Sequence, residues 1–156
     1  EVWIFGQKIS TSRNTAWYGD HALPYTYSKV SRIALPWTNT LSDLRNNIED
    51  TIGESFNACL LNLYHNGLEG VGWHSDDEKE LGREPVIASL SLGAERKFVF
   101  KHKRNSEKVE IILAAGSLLI MKGTCQQHWV HSLPKSKKVL HPRINLTFRT
   151  IHKTIA

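Results

Sequence analysis

The sequence predicts a mainly β fold with flanking helices, an α+β arrangement whose core is a jelly roll. From residue 86 onward, short runs rich in β-branched and aromatic residues succeed one another: Val86–Leu92, Lys97–His102, Val109–Leu113, Leu118–Met121 and Trp129–Ser132, broken at Gly93, Asn105 and Gly116. Ahead of them, one stretch between Thr40 and Gly53 shifts to a helical period. The last run, Arg143–Arg149, alternates polar and apolar residues without a lapse, so it is a strand whose two faces meet different surroundings.

Taken in order, Val2-Trp3-Ile4-Phe5 reads as a strand entering a turn at Gly6, and by composition Phe5 belongs to a core. Tyr25 and Tyr27 then share a strand face; such a pair can stack on a base and test its polar edge, or simply pack. Leu41, Leu44, Ile48 and Ile52 make one helical stripe, Thr40 with Asp43 resembles a capping box, and Gly53 is a plausible C-cap. This predicts a scaffold helix without chemistry of its own. Phe56 to Tyr64 follows as an apolar strand in which Asn62 and Tyr64 share a face, and buried groups of that kind need hydrogen-bond partners. The glycines at 67, 70 and 72 permit close approach of backbone to a ligand.

At 156 residues, with no composition shift, repeat or low-complexity tract, one domain spanning 1–156 is expected. No apolar run has the length needed to span a bilayer and no signal-peptide pattern opens the chain. An intracellular protein off the membrane is therefore expected, in the nucleus of a eukaryote or the cytoplasm of a bacterium. Cys59 and Cys125 do not form a disulfide framework and should stay reduced. The net charge of +5 and pI near 9.3 favour an anionic partner, nucleic acid among the choices.

Chemistry enters at Trp73-His74-Ser75-Asp76-Asp77. In an extended segment His74 and Asp76 leave the same side of the backbone, so an imidazole nitrogen and a carboxylate oxygen can meet at one point. Two ligands hold an ion weakly; a third would be His128, His131 or His141. Two His and one carboxylate leave open positions suited to non-haem Fe(II), with an open zinc site as the competitor. On the last strand, Arg143, Asn145, Thr147 and Arg149 form a donor-rich wall that fits a dicarboxylate, unless that face is merely solvated. Asp77 is either a solvated acid near Lys79 or Arg83, or part of the site. The clusters Lys101, Lys103, Arg104 and Lys135, Lys137, Lys138 are solvated loops or phosphate contacts.

His74-x-Asp76, His131-Ser132-Leu133-Pro134 and Arg143-x-Asn145-x-Thr147-x-Arg149 together resemble the AlkB family of Fe(II)- and 2-oxoglutarate-dependent dioxygenases. The likeness runs from Ile4-Phe5-Gly6 through Tyr18-Gly19-Asp20, Asn62-Leu63-Tyr64 and Gly116-Ser117-Leu118-Leu119 to Arg149, nearest the branch that repairs duplex DNA. It implies a double-stranded β-helix of the 2-oxoglutarate oxygenase type, with nucleotide-recognition hairpins over 1–30 and a jelly-roll core over 56–151. By the same resemblance His131 is the third metal ligand, leaving His128 outside the metal shell, and the chain uses Fe(II) and O2, with 2-oxoglutarate as co-substrate held by Asn62, Tyr64, Arg143, Asn145, Thr147 and Arg149. It further implies a wedge at Phe5, with Gly6 and Gln7, that fills the gap left by a flipped nucleotide. Phosphate contacts from Lys8 and Arg13, a pocket wall of Tyr25, Tyr27 and Ser28, and Asp77 facing the nucleotide complete the set; the family often has Phe where Tyr27 stands.

The implied activity is oxidative demethylation of 1-methyladenine and 3-methylcytosine in DNA, with release of formaldehyde and formation of succinate and CO2. A monomer acting on double-stranded DNA is expected, with single strands as a second substrate. Alternatives are RNA demethylation or protein hydroxylation by the same chemistry, and a non-enzymatic nucleic-acid-binding β domain.

Overall fold

The alternating polarity of the last strand decides how the protein is layered. A computed structural model describes residues 13–20 and 33–152 with their side chains, and residues 2–4, 7–9, 24–27 and 30–32 as backbone. Two short hairpins lie early in the chain: β1 (Val2–Ile4) pairs β2 (Gln7–Ile9), and β4 (Pro24–Tyr27) pairs β5 (Val30–Ile33). The larger sheet has the order β11-β8-β13-β6-β3, from β3 (Asn14–Gly19), β6 (Ala58–Tyr64), β8 (Ile87–Gly93), β11 (Leu118–Met121) and β13 (Arg143–Arg149). The smaller has the order β10-β9-β12-β7, from β7 (Val71–His74), β9 (Arg96–His102), β10 (Lys108–Leu113) and β12 (Trp129–Leu133). All strand pairs in both sheets are antiparallel.

β13 sits at the centre of the larger sheet. Ile144, Leu146 and Phe148 stand opposite Leu63, Leu61 and Cys59 on β6 and, on β8, opposite Leu92, Leu90 and Ala88. That shared face is apolar, and α1 (Asn39–Ile52) covers its Leu146 and Phe148 end, leaving Ile144 and Leu92 40% and 37% exposed. Leu41 and Ile48 of the helix enter one cluster with Phe56, Cys59, Ala88, Leu146 and Phe148, while Trp37 stacks parallel to Phe148 at 6.4 Å. The helix therefore packs on the outside of the sheet and leaves the polar residues of β13 facing inward.

The helix begins earlier than its sequence suggests. Thr38, not Thr40, is the N-cap: its backbone is extended and its hydroxyl accepts from Leu41 N at 3.2 Å, which leaves Thr40 and Asp43 inside the first turns. Gly53 ends it at φ +73, a left-handed conformation in which its N–H donates to Glu49 O. Asp20 fastens the helix to β3 by accepting from Trp37 Nε1 at 2.5 Å and from Arg45 at 3.3 Å, with the Arg45 guanidinium 4.7 Å over the Trp37 ring.

The expected strands from 86 to 132 appear with ends moved by a residue or so, and Phe56 lies ahead of β6, buried rather than in the ladder. β3 and β7 went unmarked in the sequence because β3 begins and ends on poor strand formers, Asn14 and Gly19, and Gly72 interrupts β7. Two short helical turns, Lys79–Leu81 and α2 (Cys125–His128), were also unmarked. Both cysteines are free; burial pushes the Cys59 thiol up to about 12.

Candidate active site

Strand register brings together the side chains expected to bind metal. β7 ends at His74, and β12 pairs with it so that His131 stands directly opposite, with a register shift before Leu133. Asp76 follows two residues beyond the strand, in a loop held by its own N–H, which donates to the buried Gln126 Oε1 of α2 at 2.9 Å. Ligand atoms of His74, Asp76 and His131 all lie within 4.8 Å of one another. The two imidazole rings meet edge to face at 4.3 Å, and Phe98 stacks on His131 at 5.3 Å.

The protonation pattern suits a cation. His74 Nδ1 donates to Gly72 O at 2.8 Å, which leaves the Nε2 lone pair for coordination. Burial, and then the neighbouring His131, lower the His74 pKa and favour neutral imidazole. Burial alone would raise the Asp76 pKa, but Arg149, 3.7 Å away, and His131 overcome it and hold the carboxyl well below its usual range. His131 Nε2 lies 3.5 Å from Asp76 Oδ2, and its Nδ1 is buried without a hydrogen-bond partner among the described residues. Three crowded Lewis bases in a buried place fit a divalent ion, and two His with one carboxylate fit non-haem Fe(II) with open positions.

The inward face of β13 forms the other wall. Arg143 Nη2 donates to Ser91 Oγ at 2.9 Å, Asn145 Nδ2 donates to Ser89 Oγ at 2.7 Å, and Thr147 Oγ1 lies 3.0 Å from Asn145 Oδ1. Arg143 Nε is buried without a partner among the described residues, and burial pulls this guanidinium down to about 10. Opposite on β6, Asn62 Oδ1 accepts from Arg13 Nε at 3.0 Å, and the Tyr64 ring lies 5.6 Å from the Arg143 guanidinium. Arg149 thus stands at the metal end of the wall and Arg143 at the Tyr64 end.

A cavity of about 60 Å³ between the sheets is lined by His74, Asp76 and His131 together with Asn62, Tyr64, Arg143, Asn145, Thr147 and Arg149. All nine residues expected to hold metal and co-substrate therefore share one space, several times what a single water requires. Arg13, expected at a phosphate, lines this cavity too. Asp77 is exposed and borders a second depression with Arg83, Lys103 and Gln127, which adjoins the first because Asp76 lines both. His128 stacks on His102 at 6.1 Å, and His141 is exposed. Lys101 lies over Trp73 at 4.7 Å, Lys103 donates to Gln126 O, and Lys135, Lys137 and Lys138 are exposed. Phe5, Gly6 and Ser28 fall outside the described residues; Gln7, Lys8, Tyr25 and Tyr27 are placed in strands by backbone alone.

Sequence reasoning passed over Ser89, Ser91, Arg96, Phe98 and Gln126. Ser89 and Ser91 carried a usable signal, two hydroxyls at strand spacing within an apolar run. Arg96 and Gln126 carried none, because a lone polar residue beside a turn ordinarily faces solvent.

Residues 5–149 match the model of the 2OG-Fe(II) oxygenase superfamily. The chain is 49% identical over 150 residues to alkB homolog 3 of Bos taurus, covering 90% of this chain and 52% of that protein. It is 43% identical over 162 residues to the DNA oxidative demethylase ALKBH2 of Mus musculus, covering 99% and 68%, and 44% identical over 158 residues to human ALKBH2, covering 96% and 60%. It thus spans about half the length of alkB homolog 3. The solved structure of OsALKBH1 superposes with a TM-score of 0.65 at 19% identity, covering 89% of this chain and 78% of that one, which supports the jelly-roll fold. With the family model spanning nearly the whole sequence and mouse ALKBH2 matched along two thirds of its length, the chain belongs to the 2OG-Fe(II) oxygenase superfamily, in its AlkB branch.

Proposed function

We propose that this chain is an oxidative demethylase of N-alkylated bases in DNA, acting on 1-methyladenine and 3-methylcytosine and releasing formaldehyde as 2-oxoglutarate and O2 become succinate and CO2. The observation that carries this reading is the single cavity in which a two-His, one-carboxylate donor set faces a wall bearing two buried arginines. The relatives named as DNA oxidative demethylases supply the substrate class.

His74, Asp76 and His131 would hold Fe(II), which supplies the oxidation of the methyl group with O2 and the keto acid. The rest is the work of protein side chains. The Gly72 carbonyl fixes the His74 tautomer, and Arg149 keeps Asp76 ionised at neutral pH. Arg143, with an unoccupied buried Nε–H, receives the far carboxylate of a dicarboxylate. Phe98 and Phe100 flank His131 and limit water at the metal. Methyl groups on the Watson–Crick edge weaken pairing, so such bases are cheaper to extrude than intact ones. The exposed Lys135, Lys137 and Lys138 suit a phosphate backbone. The finer reading is a monomer acting inside the cell on double-stranded DNA, with Phe5 as the wedge.

Anaerobic loading with Fe(II) and 2-oxoglutarate, then air and an oligonucleotide carrying one 1-methyladenine or 3-methylcytosine, tests this by base mass and succinate read together. Loss of one methyl with matching succinate is the expected result. Succinate without demethylation would refute the substrate, and neither product from folded, metal-bound protein would refute the enzyme. The duplex reading predicts that Phe5→Ala lowers turnover on duplex far more than on single strands; equal loss on both would overturn it.

A further inference from the structure

We propose that Arg96 is a positioning residue for the distal carboxylate of the co-substrate, acting through Tyr64 and Arg143 without touching the ligand. The inference rests on reading the cavity as a 2-oxoglutarate site and adds a residue to it.

Arg96 opens β9 and has the strand parity of Phe98 and Phe100, both of which pack against His131, so its side chain runs inward; it is 2% exposed. Its guanidinium is engaged by three backbone carbonyls: Nη2 donates to Glu69 O at 2.8 Å and Pro134 O at 3.0 Å, and Nη1 to Asn66 O at 3.4 Å. Those acceptors carry no net charge, and the Glu69 carboxylate, paired with His65, acts on Arg96 only from beyond ion-pair distance. Neither Arg96 nor Arg143 forms an ion pair among the described residues.

Both guanidiniums nevertheless address the same ring, Arg96 at 5.8 Å and Arg143 at 5.6 Å from the Tyr64 centroid. Two buried cations around one aromatic ring are costly on their own; the Glu69 carboxylate offsets part of this at Arg96, while no carboxylate acts on Arg143 among the described residues. Burial, with Arg96 as a further contributor, makes it harder for Arg143 to stay protonated. An anion arriving at the free Arg143 Nε–H relieves this repulsion, so it is bound more strongly than beside one arginine. The carbonyl bonds also join residues 66–69 to residue 134, which fixes the end of the cavity that Tyr64 and Arg143 line.

The test compares two acids with the same keto-acid end on the anaerobic Fe(II)-loaded chain: 2-oxoglutarate, and 2-oxopentanoate, which has a methyl in place of the far carboxylate. Calorimetric Kd values give a preference ratio. In Arg96→Gln and Arg96→Met this ratio should fall on the order of tenfold, the effect of removing one cation from the low-dielectric field at an anion. Arg96→Lys, which keeps the charge, should retain most of it. A neutral variant that folds and keeps the parent ratio overturns the proposal, and so does equal weakening of both acids. Failure of both neutral variants to fold would make Arg96 a structural staple only, and would equally overturn it. A parent chain that shows no preference between the acids would refute the co-substrate reading itself, a failure visible before any variant is made.

Discussion

The five-stranded sheet carries α1 over the Leu146 and Phe148 part of its outer face and lines the cavity with its inner face, whereas the four-stranded sheet brings Phe98, His131 and Leu133 to the cavity and leaves Trp73 and Ile112 45% and 55% exposed. Within the larger sheet, stability and chemistry are separated by residue parity along the same strand: Leu146 and Phe148 pack outward while Asn145, Thr147 and Arg149 face the cavity. In the smaller sheet the side chains expected to bind metal are instead spread over separate elements. Its metal donors lie at the end of β7, opposite it on β12, and in the loop beyond. A site can thus be carried either by one face of a core strand or by residues gathered from neighbouring strands and the loop beyond them.

The contrast is broken most sharply at His131. Replacing it with Ala should lower the proposed demethylation on the order of a thousandfold, about 4 kcal/mol in barrier, while the thermal transition of the metal-free protein moves little. A metal-free protein that unfolds on this change would show that the donors are structural. On the other sheet, Phe148→Ala removes a ring with no exposed surface that packs on Trp37 and Phe56, and should cost about 3–5 kcal/mol in urea unfolding. Iron affinity of the folded fraction should be unchanged; a large fall would mean that the two faces of the sheet are coupled.

Gln126→Ala leaves the Asp76 N–H without its acceptor and should weaken Fe(II) binding roughly 10–100-fold, measured by chelator competition. Unaltered affinity would show that the loop positions Asp76 without this bond. The smallest effect is expected at Thr38→Ala, about 1 kcal/mol of stability from the lost cap. The corresponding Thr40→Ala should be near neutral, and a larger loss there would restore the cap inferred from sequence.

The wall at 143–149 was legible because strict alternation survives burial: the apolar set needed the helix and the polar set needed the cavity. The helix was legible in its stripe, though not in its start, since two threonines at 38 and 40 compete and only extended backbone at the first makes it the cap. Parity alone could not choose among His128, His131 and His141; register with His74 makes the choice visible in the fold. Arg96 stayed hidden for a different reason. Its partners are backbone carbonyls from residues 27 to 38 positions away, and carbonyls leave no trace in residue identity.

The central place of β13 also sets the order in which the site can come apart. Paired on both edges, by β6 and β8, its amides have no free side from which to fray, so their hydrogen exchange follows whole-molecule unfolding. Asp76 lies in a loop beyond the end of β7, outside any strand ladder, and that loop is expected to open at smaller cost. Under mild denaturation the protein would release its metal while the anion wall is still assembled, so the co-substrate half of the site serves as a template on which the metal half can be rebuilt.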